Sequence, residues 1–261
     1  MERKRILLGT NTKMFKTPRE ACIHINALAE LTKDVRDDVE LFVIPSYTSL
    51  PSAAQCAAGT GIRIGAQNVG WEERGQFTGE ISVLMLAELG LDLAMVGHSE
   101  RRHVLGETDW EEEKKVRCTV EHGFTTLLCI GEKAEQKEYG LSRETLATQL
   151  KIGLHGVAAE NVGRIWIAYE PVWAIGVNGV PADESYADAM GRFIKETLRE
   201  LYGGRAADIP VLYGGSVNNE NCVPLIEKTC YDGLFIGRSA WDAANFNVII
   251  RSVLPVWKQR G

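Results

Sequence analysis

The sequence lacks any long apolar run, and this absence excludes the simplest kind of membrane protein. No run approaches the roughly 18 apolar residues that a membrane-spanning helix requires. The basic start, Met1–Arg5, is followed only by the short apolar run Ile6–Leu8, which does not resemble a signal peptide. We therefore predict a cytoplasmic protein that has no membrane partner.

An excess of positive charge is also lacking. Acidic residues number 35 against 29 basic ones, and the formal net charge is −6. Such a chain has no broad attraction for nucleic acid or for anionic membranes, so we expect no nucleic-acid partner. An anionic substrate would have to be held by local positive charge.

Closely spaced cysteine pairs and linker-like segments are missing as well. The six cysteines show no C-x-x-C spacing: Cys22, Cys56, Cys118, Cys129, Cys222 and Cys230. We interpret them as reduced thiols rather than as a disulfide framework or a zinc site, and we expect no metal. Because no Ser/Gly-rich linker or shift in composition interrupts the chain, we expect residues 1–261 to form one domain.

Short apolar runs alternate with longer amphipathic segments from end to end. Nearly continuous apolar runs are typical of parallel strands that are buried on both faces. The runs predict strands at Ile6–Asn11, Leu41–Pro45, Arg63–Gln67, Leu93–Gly97, Thr126–Ile130, Ile165–Glu170, Pro210–Gly214 and Gly233–Ile236.

Helical patterns fill the spaces between these runs. Thr17 followed by Pro18 predicts a capped helix over Pro18–Leu31. Apolar residues at spacings of three and four predict helices over Glu107–His122 and Asp183–Leu201. Eight such β–α units in about 250 residues favour the α/β class and a closed (β/α)8 barrel, with an open doubly wound sheet as the alternative.

Chemically capable side chains follow three of the predicted strands. Lys13 comes just after the first strand, His98 after the fourth, and Glu170 at the end of the sixth. Taken singly, each could be an ordinary surface or structural residue. Because the carboxyl ends of barrel strands meet at one face, we expect these residues to form one site. A base, a polarising group and a cation together suit proton transfer beside a carbonyl.

Glycines follow the seventh and eighth strands, in Tyr213-Gly214-Gly215-Ser216-Val217 and in Gly237-Arg238. Glycine lets backbone N–H groups approach an oxyanion closely. These two loops form the recurrent phosphate site of such barrels, so we predict that a small phosphate ester binds here.

The chain resembles the triosephosphate isomerase family in several motifs that occur in order. The matching segments are Asn11 with Lys13, Gly65–Asn68, Gly75–Glu80, Gly97–Arg102, Cys129–Glu132, Ala168–Gly176 and Tyr213–Val217. The resemblance implies a single-domain TIM barrel and an isomerase that needs no cofactor. The implied reaction converts dihydroxyacetone phosphate to glyceraldehyde 3-phosphate, a step of glycolysis.

The resemblance also implies roles for individual residues. Glu170 corresponds to the family's base, His98 to its neutral electrophile and Lys13 to its electrostatic stabiliser. Glu100, with its neighbour Ser99, corresponds to a supporting position near the lysine. Asn11 corresponds to a substrate-site residue of the family. From the strand ends we also predict that Lys13, Gly176, Ser216, Gly237 and Arg238 bind substrate.

The chain departs from the family pattern at four places. Thr12 replaces a usual tryptophan and Phe15 a usual asparagine, Val177–Pro181 differs from the usual Thr-Gly-Lys, and Arg238 replaces a second glycine. The changes resemble those of tetrulose phosphate isomerases of erythritol catabolism, and they suggest that Arg238 adapts the phosphate end to a substrate other than, or additional to, a triose phosphate. Both substrates therefore remain open, as does a non-catalytic sugar-phosphate sensor on the same scaffold.

We also expect a homodimer. The loop from Asn68 to Gly79 is long for a connection between a strand and a helix, and it carries Trp71 and Phe77. In the resembled family this loop inserts into a neighbouring subunit beside the first-strand lysine. An isolated monomer would expose its aromatic side chains.

Overall fold

Eight parallel strands close into a barrel in the computed structural model, which describes residues 5–176 and 179–260. Each strand pairs with the next along the chain, and β8 pairs with β1. This closure confirms the (β/α)8 barrel and rules out the open sheet. The strands are β1 (Ile6–Asn11), β2 (Val39–Ile44), β3 (Arg63–Ala66), β4 (Leu93–Val96), β5 (Thr125–Ile130), β6 (Ile165–Tyr169), β7 (Val211–Tyr213) and β8 (Gly233–Ile236).

Helices surround the barrel and connect its strands. They are α1 (Pro18–Thr32), α2 (Leu50–Ala57), α3 (Val83–Glu88), α4 (Ser99–His103), α5 (Asp109–Glu121), α6 (Ala134–Glu138), α7 (Ser142–Gly153), α8 (Glu184–Tyr202), α9 (Cys222–Glu227) and α10 (Ala243–Arg260). Within the described ranges, no helix is both long and apolar enough to cross a lipid bilayer.

Element boundaries follow local backbone chemistry. The capping box formed by Thr17 confirms the predicted start of α1. The fourth strand was expected to end at Gly97, but it ends at Val96 because Gly97 has a φ of +76°. Similarly, α5 begins at Asp109 rather than at Glu107, because the Thr108 side chain caps the helix.

Large side chains fill the interior of the barrel. Phe42 packs between Trp166 and Phe235, at ring-centroid distances of 5.4 Å and 5.8 Å. Gly9 leaves the space for Phe42, since a Cβ at Gly9 would lie 2.1 Å from the Phe42 ring. The filled interior leaves room for a ligand at the carboxyl end of the strands rather than through the barrel.

A buried histidine on α1 makes stability depend on pH. His24 is 3% exposed, and neither ring nitrogen has a hydrogen-bond partner among the described residues. Burial, with repulsion from Lys16, lowers the pKa of His24 to about 4.

We expect the folded protein to lose stability as the pH falls from about 6.5 to about 4, because the unfolded chain binds a proton at His24 before the folded chain does. The loss at this residue amounts to about 3 kcal/mol. The variant His24→Leu should not show this loss of stability, because leucine has no ring to protonate. Urea unfolding of both proteins at pH 7 and pH 4 measures the difference, and equal losses in the two proteins would contradict it.

Candidate active site

A cavity of about 310 Å³ opens where the barrel strands end. Segments that follow β1, β4, β6, β7 and β8 form its walls. Its lining brings together all the residues predicted to catalyse or to bind substrate: Asn11, Lys13, His98, Glu170, Gly176, Ser216, Gly237 and Arg238. The two predicted supporting residues, Ser99 and Glu100, begin α4 beside His98 and lie outside this lining.

Lys13 is held in an unusual backbone conformation just past β1. Its φ is +50°, and no other non-glycine residue within the described ranges has a positive φ. Such a conformation costs about 1–2 kcal/mol for an ordinary residue. The Asn11 side chain accepts the Lys13 backbone N–H at 2.8 Å, and Nζ of Lys13 donates to Glu100 at 2.8 Å. The cation is therefore fixed at the mouth of the barrel by backbone and side-chain contacts together.

His98 presents a neutral ring to the cavity. The backbone N–H of Glu100 donates to Nδ1 of His98 at 3.2 Å. A ring nitrogen that accepts a hydrogen bond carries no proton, so the proton of the neutral ring lies on Nε2. Nε2 is 3.6 Å from Oε1 of Glu170. This geometry makes His98 a hydrogen-bond donor towards the space beside the carboxylate.

Glu170 is a buried carboxylate with one unpartnered oxygen. The residue is 4% exposed, and Oε2 has no hydrogen-bond partner among the described residues. Its backbone N–H donates to Ile130 at 2.7 Å. A Cβ at Gly214 would lie 2.8 Å from Cγ of Glu170, so the glycine leaves space for this side chain. A buried, unsatisfied carboxylate oxygen is well suited to accept a proton from a bound molecule.

Backbone N–H groups form the opposite wall of the cavity. In the part of the chain that the structure describes, the N–H groups of Gly215, Ser216 and Val217 donate to no protein acceptor. All three residues line the cavity, as does Gly237 after β8. A Cβ at Gly237 would meet no described atom within 4 Å, so the glycine leaves that space open. Consecutive free N–H groups are a typical binding site for an oxyanion.

Residues that depart from the family pattern surround this wall. Arg238 is exposed, lines the cavity and forms no ion pair with any described carboxylate. Phe15 packs on Trp241 with ring centroids 4.5 Å apart, and Nε1 of Trp241 donates to the Asn11 carbonyl at 2.9 Å. Thr12 is buried beside them. The substituted positions thus cluster around Asn11 and the end of β8.

The segment after β6 forms a hydrogen bond to the buried carboxylate of Glu132. Glu132 accepts hydrogen bonds from Trp173 Nε1 at 2.9 Å, from Tyr186 at 2.8 Å and from Tyr169 at 3.1 Å. Trp173 leads directly to Gly176, which has a φ of +93° and lines the cavity. Of the predicted departure Val177–Pro181, Val177 and Asn178 lie outside the described residues.

The sequence prediction did not include two positioning residues. Gln67 follows β3, and its Nε2 donates to the Asn11 side chain at 3.0 Å and to the Lys13 carbonyl at 2.8 Å. Glu132, described above, follows β5. Each is a polar side chain that directly follows a buried strand. The same reasoning that identified His98 could therefore have identified both.

Comparisons with known proteins agree with this geometry. The family model described as triosephosphate isomerase matches residues 6–253. An L-erythrulose-1-phosphate isomerase of Rhizobium meliloti (strain 1021) is 43% identical over 97% of this chain and 98% of its own length. A triosephosphate isomerase of Acetivibrio thermocellus is 41% identical over 96% and 99%, and one of Aquifex aeolicus is 40% identical over 95% and 99%. The chain therefore belongs to the triosephosphate isomerase family.

Proposed function

We propose that the protein is an isomerase that moves a proton between neighbouring carbons of a small phosphorylated sugar. The observation that carries this proposal is the facing pair of Glu170 and neutral His98, whose side chains approach to 3.6 Å inside the cavity. Lys13 and a wall of free N–H groups complete a site for an anion with a reacting carbonyl.

Glu170 acts as the base. It takes a proton from the carbon next to the carbonyl of the bound sugar, and the electron pair of the broken C–H bond forms the double bond of an enediolate. The same carboxyl group then returns the proton to the former carbonyl carbon, while the proton of the neighbouring hydroxyl passes by way of Nε2 of His98 to the former carbonyl oxygen. Its unpartnered Oε2 supports this assignment, since no protein donor competes for that oxygen among the described residues.

His98 and Lys13 stabilise the charge that develops on the sugar oxygens. Nε2–H of His98 donates to an oxygen of the enediolate, and the Lys13 cation lowers the energy of the anion. Both side chains are held in place before substrate arrives, by the Glu100 backbone and the Asn11 side chain. A sensor without activity would have no use for these three groups around one cavity.

The substrate is a phosphorylated ketose of three or four carbons, and its phosphate binds the N–H groups of Gly215–Val217. The relatives described above include both triosephosphate isomerases and an L-erythrulose-1-phosphate isomerase. A kinetic comparison of dihydroxyacetone phosphate with L-erythrulose 1-phosphate tests the proposal. Turnover of either substrate supports it, and turnover of neither would contradict it.

Arg238 is proposed as an additional phosphate ligand. In an erythrulose 1-phosphate the extra carbon is attached to the carbon that gives up the proton, away from the phosphate. Because Arg238 lies beside Gly237 at the phosphate end, it contacts a part that both substrates share. The structure therefore favours a role in affinity over the role in substrate choice that the substitution alone suggested.

We expect Arg238→Gly to raise KM about tenfold for every phosphorylated substrate that is turned over, with little change in kcat, because an exposed arginine–phosphate contact is worth roughly 1.4 kcal/mol. Steady-state kinetics on both ketose phosphates measures this. A change confined to one substrate would instead assign Arg238 to substrate choice, and an unchanged KM would remove it from the site.

A homodimer is also proposed. Trp71 and Phe77 pack edge to face at 5.4 Å, and Phe77 is 41% exposed. Met14 and Phe15, next to Lys13, are 95% and 67% exposed. Two exposed apolar surfaces, one beside the site, suit burial against a second copy of the chain. Sedimentation at micromolar concentration should give a molecular mass of about twice the 28.8 kDa of the monomer.

We also propose a cytoplasmic location, since reduced thiols fit that compartment.

A further inference from the structure

A buried arginine lies directly beneath the backbone that carries His98. Arg102 is on α4, and its side chain is 6% exposed. Its Nε donates to the Gly97 carbonyl at 2.7 Å, and one terminal nitrogen donates to the Cys129 carbonyl at 3.0 Å. Gly97 immediately precedes His98. One guanidinium therefore joins the end of β4 to β5 next to a proposed catalytic residue.

The same arginine also reaches the surroundings of Glu170. Cys129 is completely buried inside the barrel, and burial raises the pKa of its thiol, with a further contribution from the Glu170 carboxylate beside it. The Glu170 backbone is bonded in turn to Ile130, the residue after Cys129. A shift of the guanidinium would thus disturb both halves of the facing pair.

Two carboxylates from α5 hold the guanidinium. Asp109, which is partly exposed, pairs with one terminal nitrogen, and Glu112, which is 0% exposed, pairs with the other. The contact with Glu112 is an ion pair without a hydrogen bond, since neither oxygen of Glu112 has a hydrogen-bond partner among the described residues. The backbone of Gly97 packs against this cluster, because a Cβ there would lie 2.7 Å from Arg102, 2.9 Å from Cys129 and 3.1 Å from Glu112.

Glu112 is costly for stability in this position. Burial raises the pKa of Glu112 to about 8, although the charge of Arg102 opposes the shift. Replacing a whole buried ion pair by apolar side chains of similar volume is often neutral or stabilising, whereas removing one partner is destabilising when it leaves a buried charge alone. Arg102 would keep Asp109 as its partner, so stability alone does not explain an acid at this position.

We propose that Glu112 is a positioning residue, which orients Arg102 and through it the Gly97–His98 backbone and Cys129. Glu112 touches no substrate, and it acts through the ion-pair contact of its Oε2 with the Arg102 guanidinium, which restrains the position of that group. The inference rests on the proposed isomerase function of the same site. It assigns a role to α5, which contributes no residue to the cavity lining.

The expected effect is confined to the chemical step. A small displacement of a catalytic group is expensive, because a misplacement near 1 Å can cost about a hundredfold in rate. The N–H groups proposed to bind phosphate follow β7, and no hydrogen bond or ion pair joins them to this cluster in the part of the chain that the structure describes. We therefore expect Glu112→Leu to lower kcat about tenfold or more and to leave KM within about twofold.

The test combines several purified variants with their wild type. Glu112→Met serves if the leucine variant does not fold. Glu112→Gln keeps a polar oxygen against the guanidinium and should retain kcat within about threefold. Glu113→Leu is the matched control, since Glu113 pairs with Arg117 on its own helix at 3.1 Å and should keep the wild-type kcat. Thermal unfolding of each variant shows whether any loss of activity follows a loss of structure.

The outcomes distinguish a failure of the proposed function from a failure of the role proposed for Glu112. A wild-type protein that turns over neither ketose phosphate would overturn the proposed function itself. With an active wild type, an unchanged kcat in Glu112→Leu would overturn the inference. So would a loss that matches a fall in melting temperature, or a glutamine variant as impaired as the leucine variant.

Discussion

Replacing Lys13 by methionine is expected to abolish measurable turnover, with a loss of at least about a hundredfold in kcat. Methionine fills similar space but removes the cation that faces the developing negative charge. Lys13 is held for this role by its backbone contact with Asn11 and its ion pair with Glu100. Steady-state assays with the better of the two ketose phosphates measure the effect.

Lys16→Met provides the matched control for this prediction. Lys16 is three residues away and does not line the cavity. Its variant removes the same charge from the same segment, and we expect wild-type kcat. If Lys13→Met folds and keeps the wild-type kcat/KM, the electrostatic role assigned to Lys13 is wrong.

Replacing Glu170 by aspartate is expected to lower kcat about a hundredfold. The charge is retained, but the carboxylate is withdrawn by about one methylene from the carbon it must deprotonate, and a misplacement of this size carries that cost. We expect KM to change far less than kcat.

Glu138→Asp is the control for this change, because Glu138 is an exposed residue of α6 and lies outside the cavity lining. The same loss of a methylene there should have no effect on kcat. A folded Glu170→Asp enzyme with unchanged kcat on its better substrate would remove Glu170 as the base.

The barrel and most of the cavity follow from sequence patterns. Buried parallel strands produce continuous apolar runs, and their alternation with amphipathic segments predicts the eight units. Because the carboxyl ends of these strands converge, a polar residue directly after a strand predicts a position in the site. Lys13, His98 and Glu170 were all found in this way, and the cavity lining contains all three.

Features that depend on tertiary packing could not be predicted. Glu112 occupies a helix rich in charged residues, and such a residue is ordinarily exposed. In the fold it lies on the buried face of α5, where Arg102 from α4 meets it. The same applies to His24, whose polar ring is covered in the folded barrel. The end of β4 differs by one residue from the prediction because Gly97 takes a positive φ.

Exchange of solvent deuterium into the substrate tests the central claim most directly. The protein is incubated in D₂O with dihydroxyacetone phosphate or with L-erythrulose 1-phosphate. Proton NMR then measures the loss of the signal from the hydrogen on the carbon next to the carbonyl. We expect the wild type to incorporate deuterium into at least one of the two and Glu170→Asp to do so about a hundredfold more slowly. The absence of exchange into either substrate, or equal exchange by the two proteins, would contradict it.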